Sequence, residues 1–182
     1  MKLVTNPDIL HQPCEEIKDQ KLLNQRVIKL ITAMKFLPNA KGLADNQIAG
    51  KHRIFAIRLE GKKTVSIFVN PIFSNGMTPP KPIKTDEGYE LAQWQPEGTF
   101  TEECLSIKGR AYDVKRFYEI NAISEANGLT CPYFANETHF TGIDAQCIQH
   151  EIDHLNGILI SDNGGSKWVN IHKVNGFGSA RH

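Results

Sequence analysis

At 182 residues and 40% hydrophobic composition, the chain suits one globular domain with a sizeable core. Its 21 basic and 20 acidic residues leave a formal net charge of +1, so no strongly basic face is implied and nucleic acid is not expected as a direct partner. No apolar run approaches the ~20 residues that span a bilayer, and the four scattered cysteines (Cys14, Cys104, Cys131, Cys147) do not make a disulfide scaffold.

The opening stretch Met1–Pro7 has no apolar signal region, which points to a cytosolic protein with reduced thiols. Val27, Leu30, Ile31 and Met34 fall at helical spacing and predict an amphipathic helix over 22–37, ended by Pro38. Arg53–Leu59 and Thr64–Asn70 are apolar, β-branched runs around Glu60-Gly61-Lys62-Lys63 and predict a hairpin. Ser74–Lys84, rich in Pro, Gly and Asn, reads as loop. Arg116–Ile123 and Leu129–Ala135 read as strands joined across Ala126-Asn127-Gly128. Pro132 places the second of them at an edge or bulge.

The next helix carries the chemistry. Thr141 followed by Asp144 predicts a capping box at its start, and Gly157 suits the position after its end. Ile148, Ile152 and Leu155 form its apolar stripe, and Cys147, His150, Glu151 and His154 form the adjoining face. His150-Glu151-Ile152-Asp153-His154 puts two imidazoles four apart on one face, within reach of one metal ion. A glutamate beside the first can take a proton from a water the metal activates. The pattern names metal-assisted hydrolysis. Beyond Asp162 the run Asn163-Gly164-Gly165-Ser166-Lys167 opens a Gly/Asn-rich tail over 163–182, where no long closing helix is expected. Without repeats or a linker, the expectation is a single α+β domain over 1–162, with antiparallel or mixed sheets around the metal-binding helix.

Two histidines are one ligand short. The metalloprotease completion H-E-x-x-H-x-x-G-x-x-H matches at Gly157 but places Ile160 where its third histidine belongs. No glutamate follows Glu151, and Asp162, His172 and His182 lie at or in the Gly-rich end. Upstream stands Glu102-Glu103-Cys104-Leu105-Ser106. This Glu-x-Cys-Leu-Ser, followed by Gln-His-Glu-Ile-Asp-His-Leu-Asn-Gly over 149–157, resembles peptide deformylase. That family removes the formyl group from the initiator methionine of new bacterial and organellar chains. The family's remaining motif, G-x-G-x-A-A-P-Q, is matched in part by Ala40-Lys41-Gly42-Leu43-Ala44-Asp45-Asn46-Gln47.

The resemblance implies a metal held by Cys104, His150 and His154 with one position open for water. It favours Fe²⁺ as the native ion, with Zn²⁺, Ni²⁺ or Co²⁺ able to replace it. Glu151 is then the general base and acid, and Gln47 and the Leu105 backbone N–H the oxyanion donors. Lys41, Gly42, Glu102 and Glu103 are expected to border the substrate, Gly42 by letting backbone approach it. Glu102 and Asp153 are also candidates to orient the ligand histidines. Cys147 reads as core or pocket lining, and Cys14 and Cys131 as structural. The implied partners are formyl-Met nascent peptides, with a ribosome contact open; no membrane is implied, and a monomer is expected. Ala40, Asp45, Asn46, Glu103 and Ile107-Lys108-Gly109 depart from the family's usual residues. They point to retained chemistry with altered selectivity or docking, as in an accessory, organellar or phage-encoded form. The rival readings are a general metallopeptidase and a degenerate deformylase-like peptide binder.

Overall fold

Asp19 starts the long N-terminal helix: its side chain accepts from the Leu22 N–H at 2.7 Å, satisfying one of the free donors of the first turn. The computed structural model describes residues 2–75, 83–85, 88–90 and 97–162. A short helix α1 (Pro7–Leu10) precedes α2 (Gln20–Phe36), and β1 (Gly42–Ala44) runs into a 3₁₀ turn (Asp45–Ile48). There follow β2 (Ile54–Ile57), β3 (Ser66–Val69), β4 (Pro71–Asn75), β5 (Ile83–Thr85), β6 (Gly88–Glu90), β7 (Glu97–Cys104), β8 (Ile107–Phe117), β9 (Glu119–Ser124), β10 (His139–Thr141) and α3 (Gly142–Leu155). All strand pairs are antiparallel, in sheets ordered β1-β2-β3, β10-β9-β4, β5-β6 and β7-β8. The α+β expectation holds.

The predicted first hairpin forms as β2 and β3, and its four β2 residues are fully buried because helices cover both faces of the sheet. Ile54 and Ala56 pack with Leu23, Val27, Leu30 and Met34 of α2. Phe55 and Ile57, on the opposite face, pack with Ile148, Ile152 and Leu155 of α3. Phe55 and Phe68 are cross-strand neighbours whose rings stack at 4.9 Å. The sheet is thus clamped between the capped helix and the motif helix.

Several expectations are corrected. The span Arg116–Ile123 is broken at Tyr118 into β8 and β9. The Gln149 amide from α3 bonds both the N–H and the carbonyl of Phe117, each at 2.9 Å, and so takes over the backbone pairing there. Leu129–Ala135 is not a strand. The turn at Asn127-Gly128 forms with positive φ at both residues, but Pro132 has no N–H to give. The segment then touches β3 through an isolated bridge between Phe134 and Ile67. The partners of β9 are β4 and β10 instead. Ser74 and Asn75 belong to β4 and Ile83–Lys84 to β5, while 76–82 lie outside the described residues. So do residues 163–182 of the expected tail.

The capping box at α3 is absent: Thr141 is the N-cap residue but makes no side-chain bond. Asp144 reaches instead to the Glu60 N–H and to Lys41 Nζ, the latter at 2.7 Å, tying the helix start to β1. The other end is as predicted. Gly157 has φ +72°, the Ile158 N–H donates to the Asp153 carbonyl at 2.9 Å, and the Gly157 N–H donates to the His154 carbonyl. A Cβ at Gly157 would also lie 2.2 Å from the His11 carbonyl oxygen.

Candidate metal centre

The β7–β8 hairpin, not foreseen from its polar sequence, delivers the first ligand candidate, Cys104. Its two-residue turn is Leu105-Ser106, with Cys104 paired to Ile107, and the register jumps so that Glu103 pairs with Ala111. Residues 108–110 therefore bulge out, and Gly109 takes the positive φ of +75° that this requires. Behind the hairpin, buried Ile160 packs with Cys104 and Val114. The residue that broke the protease pattern is thus the apolar support of the cysteine.

Helix α3 supplies the other two ligand candidates. The ligand atoms of Cys104, His150 and His154 all lie within 4.8 Å of one another, and Cys104 Sγ is 3.2 Å from His154 Nε2. Atoms sharing one tetrahedral ion at bond lengths of ~2.0–2.3 Å stand ~3.5 Å apart, so this sulfur–nitrogen–nitrogen set fits a metal with a further position open. His150 Nδ1 is 2.9 Å from Glu102 Oε2, which fixes the ring and leaves its other nitrogen for the metal. Burial and the neighbouring His150 and Arg116 push the His154 pKa well below its usual value, keeping a neutral ligand imidazole.

Glu102 takes the second of the two places expected of it, beside a ligand histidine. Its carboxylate is buried and takes a two-pronged contact from Arg116, Nε to Oε1 at 2.7 Å and Nη2 to Oε2 at 2.8 Å, together with His150 and the Gln146 amide. Burial alone would raise its pKa; the Arg116 and His150 hydrogen bonds outweigh that and hold it at about 2. The group orients His150 while lying on the lining of the cavity beside it. Arg116 is completely buried and also bonds Asp153, so Asp153 serves the arginine and not a histidine. Sequence reading missed Arg116: a lone arginine in a strand-like run carries no motif.

Glu151 is buried, and its Oε2 has no partner among the described residues. Burial lifts its carboxyl to about 7, with His150 offsetting part of the rise. A Cβ on Gly42 would sit 2.3 Å from Glu151 Oε1, so Gly42 is glycine to make room for this carboxylate. That is a different reason from the substrate approach the sequence suggested. Gln47 accepts from the Ala44 N–H at 2.8 Å and turns its NH₂ toward Ser106 Oγ at 3.2 Å and Cys104 Sγ. Leu105, on the hairpin turn, is part exposed beside it.

These groups open on a cavity of about 370 Å³ whose walls include Gly42, Gln47, Leu105, Ile143 and Cys147, with Lys41 and Glu103 also on its lining. The Lys41 ammonium is bound to Asp144, whereas Glu103 is exposed. Cys147 packs on the core, and burial pushes its thiol well above the usual pKa, as befits a wall residue. Among the described residues no helix is long and apolar enough to cross a membrane.

A family model described as polypeptide deformylase matches residues 1–167. The chain is 27% identical over 168 residues to peptide deformylase 2 of Corynebacterium efficiens, an alignment covering 91% of this chain and 79% of that one. Its fold is similar to the structure of a probable peptide deformylase from Synechococcus phage S-SSM7, with a TM-score of 0.64 and 26% identity, over 89% of this chain and 98% of that one. It is similar also to the actinonin complex of PDF from Vibrio parahaemolyticus bacteriophage VP16T, with a TM-score of 0.63 and 26% identity, over 87% and 98%.

Proposed function

The chain belongs to the polypeptide deformylase family, and from that premise we propose how its residues divide the removal of the formyl group from formyl-methionine chain ends. The enzyme is a metal-dependent amide hydrolase acting on nascent polypeptides. The observation that carries the assignment of roles is the convergence of Cys104, His150 and His154 in one cavity beside a buried Glu151 whose Oε2 has no partner among the described residues.

A metal held by those three residues supplies the Lewis acidity that activates water and polarises the formyl oxygen. Glu151 takes the proton released as water adds to the formyl carbon. It passes that proton to the methionine nitrogen as the C–N bond breaks, leaving formate and a free amine. Gln47 Nε2 and the Leu105 N–H donate to the oxygen that gains charge. Glu102 and Arg116 hold His150 in place, and Lys41 and Glu103 border the peptide beyond the methionine.

Ferrous iron is the proposed native ion; mixed thiolate and imidazole ligands suit iron and zinc alike, and Zn²⁺, Ni²⁺ or Co²⁺ would substitute. A cytosolic monomer that meets chains as they leave the ribosome follows from the same reading. The test is formate release from formyl-Met-Ala-Ser set against release of acetate from the acetylated peptide. Hydrolysis confined to the formyl peptide supports the reading, and cleavage of internal peptide bonds in its place would make the enzyme a peptidase. In the same assay Gln47→Leu should lower kcat about 10²-fold, the size of effect seen when one oxyanion donor is lost. An unchanged kcat would remove Gln47 from that role.

A further inference from the structure

The 3₁₀ turn Asp45–Ile48 carries the proposed oxyanion donor Gln47. In the motif that this segment resembles, alanine and proline stand where this chain has Asp45 and Asn46. A proline stiffens such a turn by fixing its own φ. Here side-chain bonds hold the turn instead, and they reach it from two helices.

Asp45 is fully buried, and Arg26 Nε of α2 donates to its carboxylate at 2.7 Å, an ion pair between helix and turn. Arg26 is itself only 7% exposed. The His52 N–H donates to the same carboxylate at 3.1 Å, and the Gly50 N–H donates to the Asp45 backbone carbonyl at 2.9 Å. A Cβ on Gly50 would collide with Asp45 Oδ2 and Arg26 Nη2, so this glycine leaves the room that the pair occupies. From α3, the His154 carbonyl accepts from Asn46 Nδ2 at 2.7 Å. Gln47, two residues after Asp45, then turns its NH₂ toward Ser106 and Cys104.

A buried ion pair is a poor source of stability, because desolvation of both charges offsets their attraction. What it supplies is direction, since a guanidinium donates along a rigid planar fork. Oxyanion stabilisation needs that direction: a donor misplaced by about 1 Å can cost on the order of 10²-fold in rate. We infer that the buried Arg26–Asp45 pair positions Gln47 for its work as oxyanion donor, in place of the motif's proline. The inference rests on the deformylase reading above. It adds two positioning residues, neither of them on the lining of the cavity.

The experiment is kcat and KM for formate release from formyl-Met-Ala-Ser by the metal-loaded full chain. It compares wild type, Arg26→Met/Asp45→Ala, Gln47→Leu and the combination of all three changes. Removing both charges together leaves neither of them stranded. Arg26→Met/Asp45→Ala should lower kcat about tenfold to a hundredfold with little change in KM. The same pair of changes in the Gln47→Leu chain should lower kcat no further, because no donor is left to position. Wild-type kcat in Arg26→Met/Asp45→Ala would overturn the inference. An equal fold-loss with and without Gln47 would also overturn it, since that is the mark of a role in the fold alone. Gly50→Ala disturbs the same pair while keeping both charges. It takes the place of Arg26→Met/Asp45→Ala if that variant fails to fold, with the same expected and overturning results. A wild type that releases no formate, or Gln47→Leu at full kcat, would overturn the reading beneath the inference.

Discussion

Glu151→Gln is expected to lower kcat for formate release by about 10²–10⁴-fold, the contribution of a positioned proton-transfer group. The amide has nearly the shape of the carboxylate, so the cavity beside Gly42 is preserved. What it loses is the ability to accept a proton at one moment and return it at the next. The environment is tuned for that cycle: burial raises the carboxyl to about 7, where both protonation states are within easy reach. No partner among the described residues ties down its Oε2. Because the change removes a buried charge, Tm and metal content should not fall. The check is kcat measured beside metal content and a melting curve. Undiminished turnover would take the proton-carrying role away from Glu151.

Arg116→Met is expected to lower the unfolding free energy by about 3–5 kcal/mol, because it strands buried carboxylates for which the guanidinium is the main compensating charge. Arg116 is fully buried between Glu102, 4% exposed in its side chain, and Asp153, at 14%. Breaking a buried pair from one side is far more damaging than replacing the whole of it. Adding Glu102→Gln to Arg116→Met should therefore restore part of the loss, a coupling that a double-mutant cycle in urea reads directly. The functional consequence follows from geometry. Glu102 without Arg116 loses the two-pronged contact that fixes the carboxylate orienting His150. Equal stability of Arg116→Met and wild type would show that the pair is not compensating a buried charge.

Of the proposed site, the two histidines and Glu151 stand out in the sequence because their chemistry restricts residue type and spacing, whereas Cys104 and Gln47 stand out through the resemblance to the deformylase motifs. His150 and His154 had to be four apart on a helix, and Ile160 excluded the protease completion. The fold was legible where periodicity is strong, in α2, in the β2–β3 hairpin and in the Schellman end of α3 at Gly157. It was illegible where side chains from distant elements decide. The break at Tyr118 depends on Gln149 of α3, and the missing Thr141 cap depends on Asp144 being drawn to Lys41 and Glu60. Leu129–Ala135 looks β-forming, yet Pro132 sits within it and the β9 edges go to β4 and β10. The buried network around Arg116 was invisible for the same reason: its members lie on β7, β8 and α3, and only the fold joins them. Asn46 appeared in the sequence as a departure from a motif, and in the structure as a contact to the ligand helix.

The central claim is that Cys104 completes a three-residue metal site that makes this chain a deformylase. Its most direct test is formate release from formyl-Met-Ala-Ser by the chain purified and loaded anaerobically with Fe²⁺, run beside Cys104→Ala. The account predicts steady formate release by the wild type, and loss of both bound metal and release in Cys104→Ala. Metal-loaded wild type that releases no formate, or Cys104→Ala that releases it undiminished, would contradict it.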